Sequence, residues 1–160
     1  MQRFDQPLEV LFPPVTGQRE NMSLAKKWIP EWCVIISELL TTIEFWLAPL
    51  QTSGKLRARR NGKVVNDPVL QESYLIDHMD IFLTESQCLS LVPVSALHGK
   101  QPGRVAFNGL KQEVVLLSKP NMLSDTASWF LLFDESDPKI RTETQLSHGM
   151  FYTLLTKQLR

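Results

Sequence analysis

The feature that most constrains the fold is an apolar stripe between residues 23 and 50, spaced as one face of an α-helix requires. Its members recur at alternating intervals of four and three residues: Trp32, Ile36, Leu39, Ile43, Trp46 and Leu50. Three more apolar residues widen the stripe: Cys33, Leu40 and Leu47. Pro30 suits the first turn of a helix, and Pro49 favours its end. The sequence therefore predicts a helix over residues 30–48 that packs on a sheet, and the alternative of an amphipathic helix docked on a partner stays open.

The segments after this helix have the patterns of strands and hairpins. Apolar or alternating stretches predict strands at residues 74–83, 89–94, 105–107, 113–118 and 129–133. Two Asn-Gly pairs, Asn61-Gly62 and Asn108-Gly109, predict tight hairpin turns. A closing helix is predicted after Ser147 or Gly149. Because the strands do not alternate with helices, the predicted class is α+β: an antiparallel sheet of about five to seven strands, an N-terminal amphipathic helix packed on one face and a C-terminal helix.

The length of the chain suits one domain with a short extension. Its 160 residues are typical of a single globular unit. We predict an N-terminal arm at residues 1–22, with a short strand at 8–12, and a single α+β domain at residues 23–160. Such an arm either adds to an edge of its own sheet or reaches a neighbouring molecule, so a homo-oligomer stays open.

Three features predict an intracellular protein, cytoplasmic or nuclear. The first residues lack the apolar stretch of a signal peptide. The long apolar segment is interrupted by Glu31, Glu38 and Glu44, which argues against a membrane span. The two cysteines, Cys33 and Cys88, lie among apolar neighbours and suit buried free thiols in a reducing compartment.

The charge distribution is the main functional signal. Formal net charge is zero, which argues against the overall attraction typical of non-specific nucleic-acid binders. Residues 51–66 nevertheless carry five cations and no acid, whereas residues 67–99 carry five acids and no Lys or Arg. In a strand, Lys55, Arg57 and Arg59 share one face and Leu56 and Ala58 the other, with Arg60 and Lys63 beside the predicted turn. The basic loop residues Lys100 and Arg104 extend the predicted patch.

Four interpretations of the basic hairpin predicted at residues 55–65 stay open. In the first, its charged side chains keep an exposed edge strand from pairing with other chains. In the second, the acids of residues 67–85 neutralise it internally. In the third, it binds an acidic protein surface, because Arg pairs bidentately with carboxylates. In the fourth, it binds a phosphate backbone, although the hairpin has no aromatic residue to stack on unpaired bases.

No motif predicts a reaction, a metal or a cofactor. In a strand, only two side chains of Asp77-His78-Met79-Asp80 converge on either face, fewer than a catalytic zinc needs. The Gly99-Lys100 pair lacks the remainder of a phosphate-binding loop. No nucleophile motif accompanies the three histidines, His78, His98 and His148.

The sequence thus predicts a non-enzymatic interaction or adaptor protein, or a subunit of a multi-protein complex, that contacts an acidic protein partner through the basic hairpin. Nucleic-acid binding by the same hairpin is the alternative. A membrane partner is not predicted, and an enzyme with a dispersed active site is the less favoured class.

Overall fold

The structure, a computed structural model, describes residues 16–84, 86–120, 127–133 and 142–157. Within these ranges, two helices and seven strands follow one another: α1 (Thr16–Thr52), β1 (Arg57–Asp67), β2 (Glu72–Thr84), β3 (Gln87–Ser95), β4 (Gly103–Asn108), β5 (Val114–Pro120), β6 (Ala127–Phe133), β7 (Thr142–Gln145) and α2 (His148–Lys157). Each strand pairs antiparallel with the next, in the order β1-β2-β3-β4-β5-β6-β7. The predicted α+β class is confirmed: an antiparallel sheet, one helix before it that packs against it and one short helix after it.

Helix α1 is longer than the sequence predicts. It begins at Thr16 and continues through Pro30, which had been expected in its first turn. An interior proline removes one backbone hydrogen bond, and here Pro30 is exposed, on the side of the helix away from the core. Residues 16–22, assigned to the arm, are helical, whereas residues 1–15 with the predicted strand at 8–12 lie outside the described residues.

The predicted apolar stripe of α1 is its buried face. Trp32, Ile36, Ile43 and Leu47 are almost fully buried in the main core, and Glu31 and Glu38 lie exposed on the remaining side. By length and composition alone, Ala25–Thr52 could cross a membrane, with a mean hydropathy of 1.6. In this fold the stripe packs on the sheet, and 28 % of the apolar segment is buried.

The first Asn-Gly prediction is wrong. Asn61 and Gly62 lie in the middle of β1, opposite His78 and Asp77 of β2, and the chain reverses instead at residues 68–71. Gln71 takes the left-handed conformation there, with φ 55°. The second pair does end a strand: Asn108 closes β4, and Gly109, with φ 101°, starts the connection to β5, so that hairpin is confirmed.

The ribbon formed by β1 and β2 twists strongly. Tyr74 and Ile76 are buried on one face of β2, whereas Met79 and Ile81 are buried on the other. Only the second half of β2 pairs with β3, so among the described strands the first half of β2 pairs with β1 only. Two-stranded ribbons twist more than wide sheets. This twist places the ribbon tip, the turn at residues 68–71, against the core, where Leu70 is fully buried.

The other predicted strands and the C-terminal helix are present. Helix α2 starts after Ser147, whose Oγ accepts the backbone N–H of Met150 at 3.1 Å as an N-cap. Phe151 of α2 stacks on Phe107 of β4, with ring centroids 5.7 Å apart. Strand β7 was not predicted, because its Thr-Glu-Thr-Gln sequence has no apolar pattern.

Candidate functional site

Strand β1 is one edge of the sheet and carries the predicted cations. Leu56, just before it, is buried and Ala58 half-buried, whereas Arg57 and Arg59 are exposed on the opposite face. The predicted two-residue alternation is therefore correct in this part of the chain. We call the exposed side chains the cationic face; its members are Lys55, Arg57, Arg59 and Lys63.

Arg60 is not part of the cationic face. Its Nε donates to Asp77 Oδ2 at 3.0 Å, and its Nη1 donates to Glu44 Oε1 at 2.9 Å. Thr41 Oγ1 accepts from Nη1 at 3.1 Å and Ser37 Oγ from Nη2 at 2.9 Å. Helix α1 and strand β2 thus hold this guanidinium, so the prediction that Arg60 flanks a turn is wrong, whereas its contact with a partner stays a prediction.

Among the three arginines of β1, the predicted internal neutralisation by carboxylates is seen at Arg60. The guanidinium carbon of Arg57 lies 4.8 Å from the centroid of the Phe82 ring, a cation–π contact on the exposed face. Arg59 lies opposite Asp80, and the Asn61 amide, turned so that both its groups are satisfied, accepts from Arg59 Nε at 3.0 Å. Within the described ranges, no ion pair joins Arg57 or Arg59 to a carboxylate.

Lys100 and Arg104 lie far along the sheet from the cationic face. The register runs from Arg59 through Asp80 and Ser90 to Asn108, at one end of β4. Arg104 lies at the other end of β4, opposite Ser95 of β3. Lys100 is exposed in the loop before that end. The structure does not bring these two cations together with β1.

The free edge of β1 is partly closed to further strands. The backbone N–H of Ala58 donates to the side-chain oxygen Oε1 of Gln51, in the last turn of helix α1, at 3.0 Å. A strand added along this edge would have to break that bond. Proteins protect exposed sheet edges in such ways, so recognition at β1 is expected to use side chains.

The internally paired Arg60 and the exposed Arg59 are expected to differ in their effect on stability. Replacing Arg60 with alanine leaves Asp77 and Glu44 without their shared cation, and we expect a loss of about 1 kcal/mol in the free energy of unfolding, discounted because both carboxylates are nearly half exposed. Replacing Arg59 with alanine should change it by less than about 0.5 kcal/mol. Urea denaturation measures both, and equal effects would contradict the assignment of Arg60 as the structural member.

The acidic and thiol groups form no chemical centre in the described part of the chain. No group of three or more His, Cys, Asp and Glu residues converges there. His78 Nε2 lies 3.4 Å from Asp80 Oδ2, while Asp77 turns to Arg60 on the other face. The sequence predicts this arrangement, in which His78 and Asp80 share one face of the strand and Asp77 lies on the other.

Both cysteines are free. The prediction that both thiols are buried is wrong for one of them. Cys33 is half-buried, but Cys88 is exposed, because it lies on the outer face of β3 while Leu89 points into the core. Burial, followed by the charge of Asp77, raises the pKa of the Cys33 thiol. Slight desolvation of the exposed Cys88 sulfur, followed by the charge of Asp80, raises the pKa of the Cys88 thiol. Both shifts favour the protonated thiol over the nucleophilic thiolate.

The structure has a second candidate binding surface, which the sequence does not predict. A groove of about 1030 Å³ runs between α1 and the strands at the far edge of the sheet. We call it the tryptophan groove, because Trp28 and Trp46 of α1 and Trp129 of β6 line it. These residues are up to 101 positions apart in the sequence, so no local motif marks the groove.

No protein-family model, no curated protein and no solved structure matches this chain.

Proposed function

We propose that the chain is a non-enzymatic interaction protein that contacts an acidic surface of a protein partner through the cationic face of β1. The observation that carries the proposal is the exposure of Arg57 and Arg59 on one face of an edge strand, with Lys63 exposed farther along the same strand. A rigid strand holds these cations at a fixed spacing of two to four residues, so little ordering is needed on binding. Arginines on a preorganised scaffold suit bidentate pairing with carboxylates.

The surroundings of the cationic face also support a binding role. Arg60 anchors the same strand to α1 and β2 through four acceptors. The exposed cations next to Arg60 are therefore carried by a strand that is held in place by α1 and β2. Because Gln51 occupies the backbone N–H of Ala58, the contact is made by side chains and gains specificity from their charge pattern.

Nucleic-acid binding by the same face is the second candidate. The sequence alone offered no aromatic partner for bases on β1, but the fold places Phe82 of β2 beneath Arg57. An arginine over an aromatic ring can stack with an unpaired base and pair with a phosphate. The zero net charge of the chain weighs against this candidate.

A neutralised variant tests the proposal. We expect the triple variant Arg57→Gln, Arg59→Gln and Lys63→Gln to bind poly-L-glutamate at least tenfold more weakly than the wild type in fluorescence anisotropy. Neutral glutamine avoids placing a new acid opposite Asp80. The matched control neutralises three exposed cations elsewhere: Lys26→Gln, Lys100→Gln and Lys111→Gln. It has the same net charge and should retain wild-type affinity.

The outcomes separate the candidates. Equal weakening in both triple variants would mean that only net charge matters, and would contradict the proposal. A salt dependence on duplex DNA with a log–log slope of about −3 to −4, lost only in the β1 variant, would favour the nucleic-acid candidate. Affinity purification from the native source, followed by mass spectrometry, then identifies the partner as the protein retained by the control and lost by the β1 variant.

A further inference from the structure

The tryptophan groove has the dimensions of a docking site for a helix. Trp28 and Trp46 lie 18 residues apart on α1 and both line the groove. At 1.5 Å per residue, this places them about 27 Å apart along the helix. A partner helix of about five turns has the same length.

Helix α1 presents a regular seam to the groove. The lining positions Trp28, Glu31, Ile35, Glu38 and Thr42 recur at intervals of three and four residues. This spacing is the one that packs one helix along another with side chains interlocked. The opposite wall is apolar in large part, with Trp129 and Leu146 among its members.

The groove is acidic. Among the described residues that line it, Glu31 and Glu38 are the charged ones, and no Lys or Arg lines it. Both glutamates are exposed, at the margin of the groove, and they lie seven residues apart on α1. Val34, between them, is an apolar side chain left 57 % exposed. An occupant with an apolar stripe and cations seven residues apart complements this pattern, as charges beside the seam of a coiled coil do.

We propose that the tryptophan groove binds a basic amphipathic helix of a partner protein. The apolar stripe of that helix packs against Ile35, Trp46 and Trp129, and its Lys or Arg side chains pair with Glu31 and Glu38. An anionic amphiphile such as a fatty acid is disfavoured, because its carboxylate would meet the two glutamates without a cation. This site is separate from the cationic face, so it stands or fails independently of the acidic partner proposed for β1.

The test uses the full chain and a labelled model peptide. The probe is a helical peptide of about 18 residues with leucine at the seam positions and lysine elsewhere, compared with a scrambled peptide of the same composition. We expect the helical peptide to bind at least tenfold more tightly by fluorescence anisotropy. Binding should also shift the tryptophan emission, because Trp28 and Trp46 are only partly buried.

Charge reversal is the decisive variant. Glu31→Lys with Glu38→Lys should weaken binding of the leucine–lysine peptide about tenfold and allow a leucine–glutamate peptide of the same pattern to bind. Both residues are exposed, so the fold should be retained, and circular dichroism checks it. The control Glu72→Lys with Glu113→Lys makes the same charge change at exposed sites outside the groove and should leave binding unchanged.

Four outcomes would overturn the proposal. The first is equal binding of the helical and scrambled peptides, and the second is equal loss in the two charge-reversed variants. The third is a wild-type dimer in sedimentation that Val34→Glu dissociates, because the occupant would then be a second copy of this chain. The fourth is a gain in peptide affinity of tenfold or more in the full-length variant Leu8→Asp with Leu11→Asp, because the chain's own N-terminal segment would then compete for the groove.

Discussion

Replacing Asp67 with alanine is expected to lower the free energy of unfolding by about 4 kcal/mol. Its carboxylate is 2 % exposed and accepts four hydrogen bonds. Oδ1 accepts the backbone N–H groups of Val69 at 2.9 Å and Leu70 at 3.1 Å, which shape the turn between β1 and β2. Oδ2 accepts Tyr74 Oη–H at 2.6 Å and the backbone N–H of Ala96 at 2.8 Å, which fasten the ribbon tip to the end of β3.

The size of this effect follows from what the alanine variant leaves behind. Each buried donor that loses its acceptor costs about 1–3 kcal/mol, and bonds to a charged acceptor lie at the upper end of that range. In Asp67→Asn the remaining side-chain oxygen can still accept the N–H groups of the turn, but the amide N–H would face the backbone N–H of Ala96 and repel it. We therefore expect about half the loss in the free energy of unfolding that Asp67→Ala causes. Asn66→Ala, at the exposed neighbour, is the control and should cost about 0.5 kcal/mol. Urea denaturation that finds the Asp67 and Asn66 variants alike would contradict this role.

Tyr74 makes the same cluster sensitive to alkaline pH. Burial, followed by the hydrogen bond to Asp67, raises the pKa of Tyr74 above its ordinary value of 10.0. Above that pH the unfolded chain releases the tyrosine proton while the folded chain retains it. Folding stability from this group is therefore complete below about pH 10 and is lost as the pH rises. Tyr74→Phe should show a smaller alkaline loss than the wild type in the same denaturation series.

Replacing Gly103 with alanine is expected to cost about 3 kcal/mol. A Cβ atom there would lie 2.5 Å from Trp32 Cζ3, 2.6 Å from Trp32 Cη2 and 2.9 Å from the backbone nitrogen of Leu97. Trp32 is fully buried and the Leu97 nitrogen belongs to the backbone, so neither can move without disturbing the core. Thermal and urea unfolding measure the loss.

Two comparisons show whether the close approach is the cause. Gly149→Ala, at an exposed helical glycine with nothing within 4 Å of the added Cβ, should be neutral or stabilising by up to about 1 kcal/mol. In a Trp32→Phe background the outer indole atoms are absent, so Gly103→Ala should cost less than it does in the wild type. A double-mutant cycle measures that coupling, and strictly additive effects would contradict the contact.

The secondary structure was predictable because it depends on neighbours along the chain. The stripe from Trp32 to Leu50 predicts the buried face of α1 through the helical period alone. The alternation of Leu56 and Ala58 with Arg57 and Arg59 likewise predicts which cations of β1 face solvent. The start of α1 was missed, because Pro30 resembles a first-turn residue and the preceding polar segment has no apolar period.

At Asn61-Gly62, the turn preference of the local sequence is overridden by contacts that form in the tertiary structure. As a turn it would have placed Arg60 in solvent. As part of a strand it lets Arg60 reach acceptors 16 to 23 residues earlier on α1 and 17 residues later on β2. The buried carboxylate of Asp67 stabilises the turn at residues 68–71 instead, because it accepts the backbone N–H groups of Val69 and Leu70.

By itself, then, the sequence determined the α+β class, most strands, the buried face of α1 and the exposed arginines of β1, because period and charge are local properties. Only the tertiary structure decided that Arg60 is held internally, that Gly103 must lack a side chain, and that three distant tryptophans line one groove. Those properties depend on which segments meet in space, and hydrogen bonding and close packing between distant residues decide that.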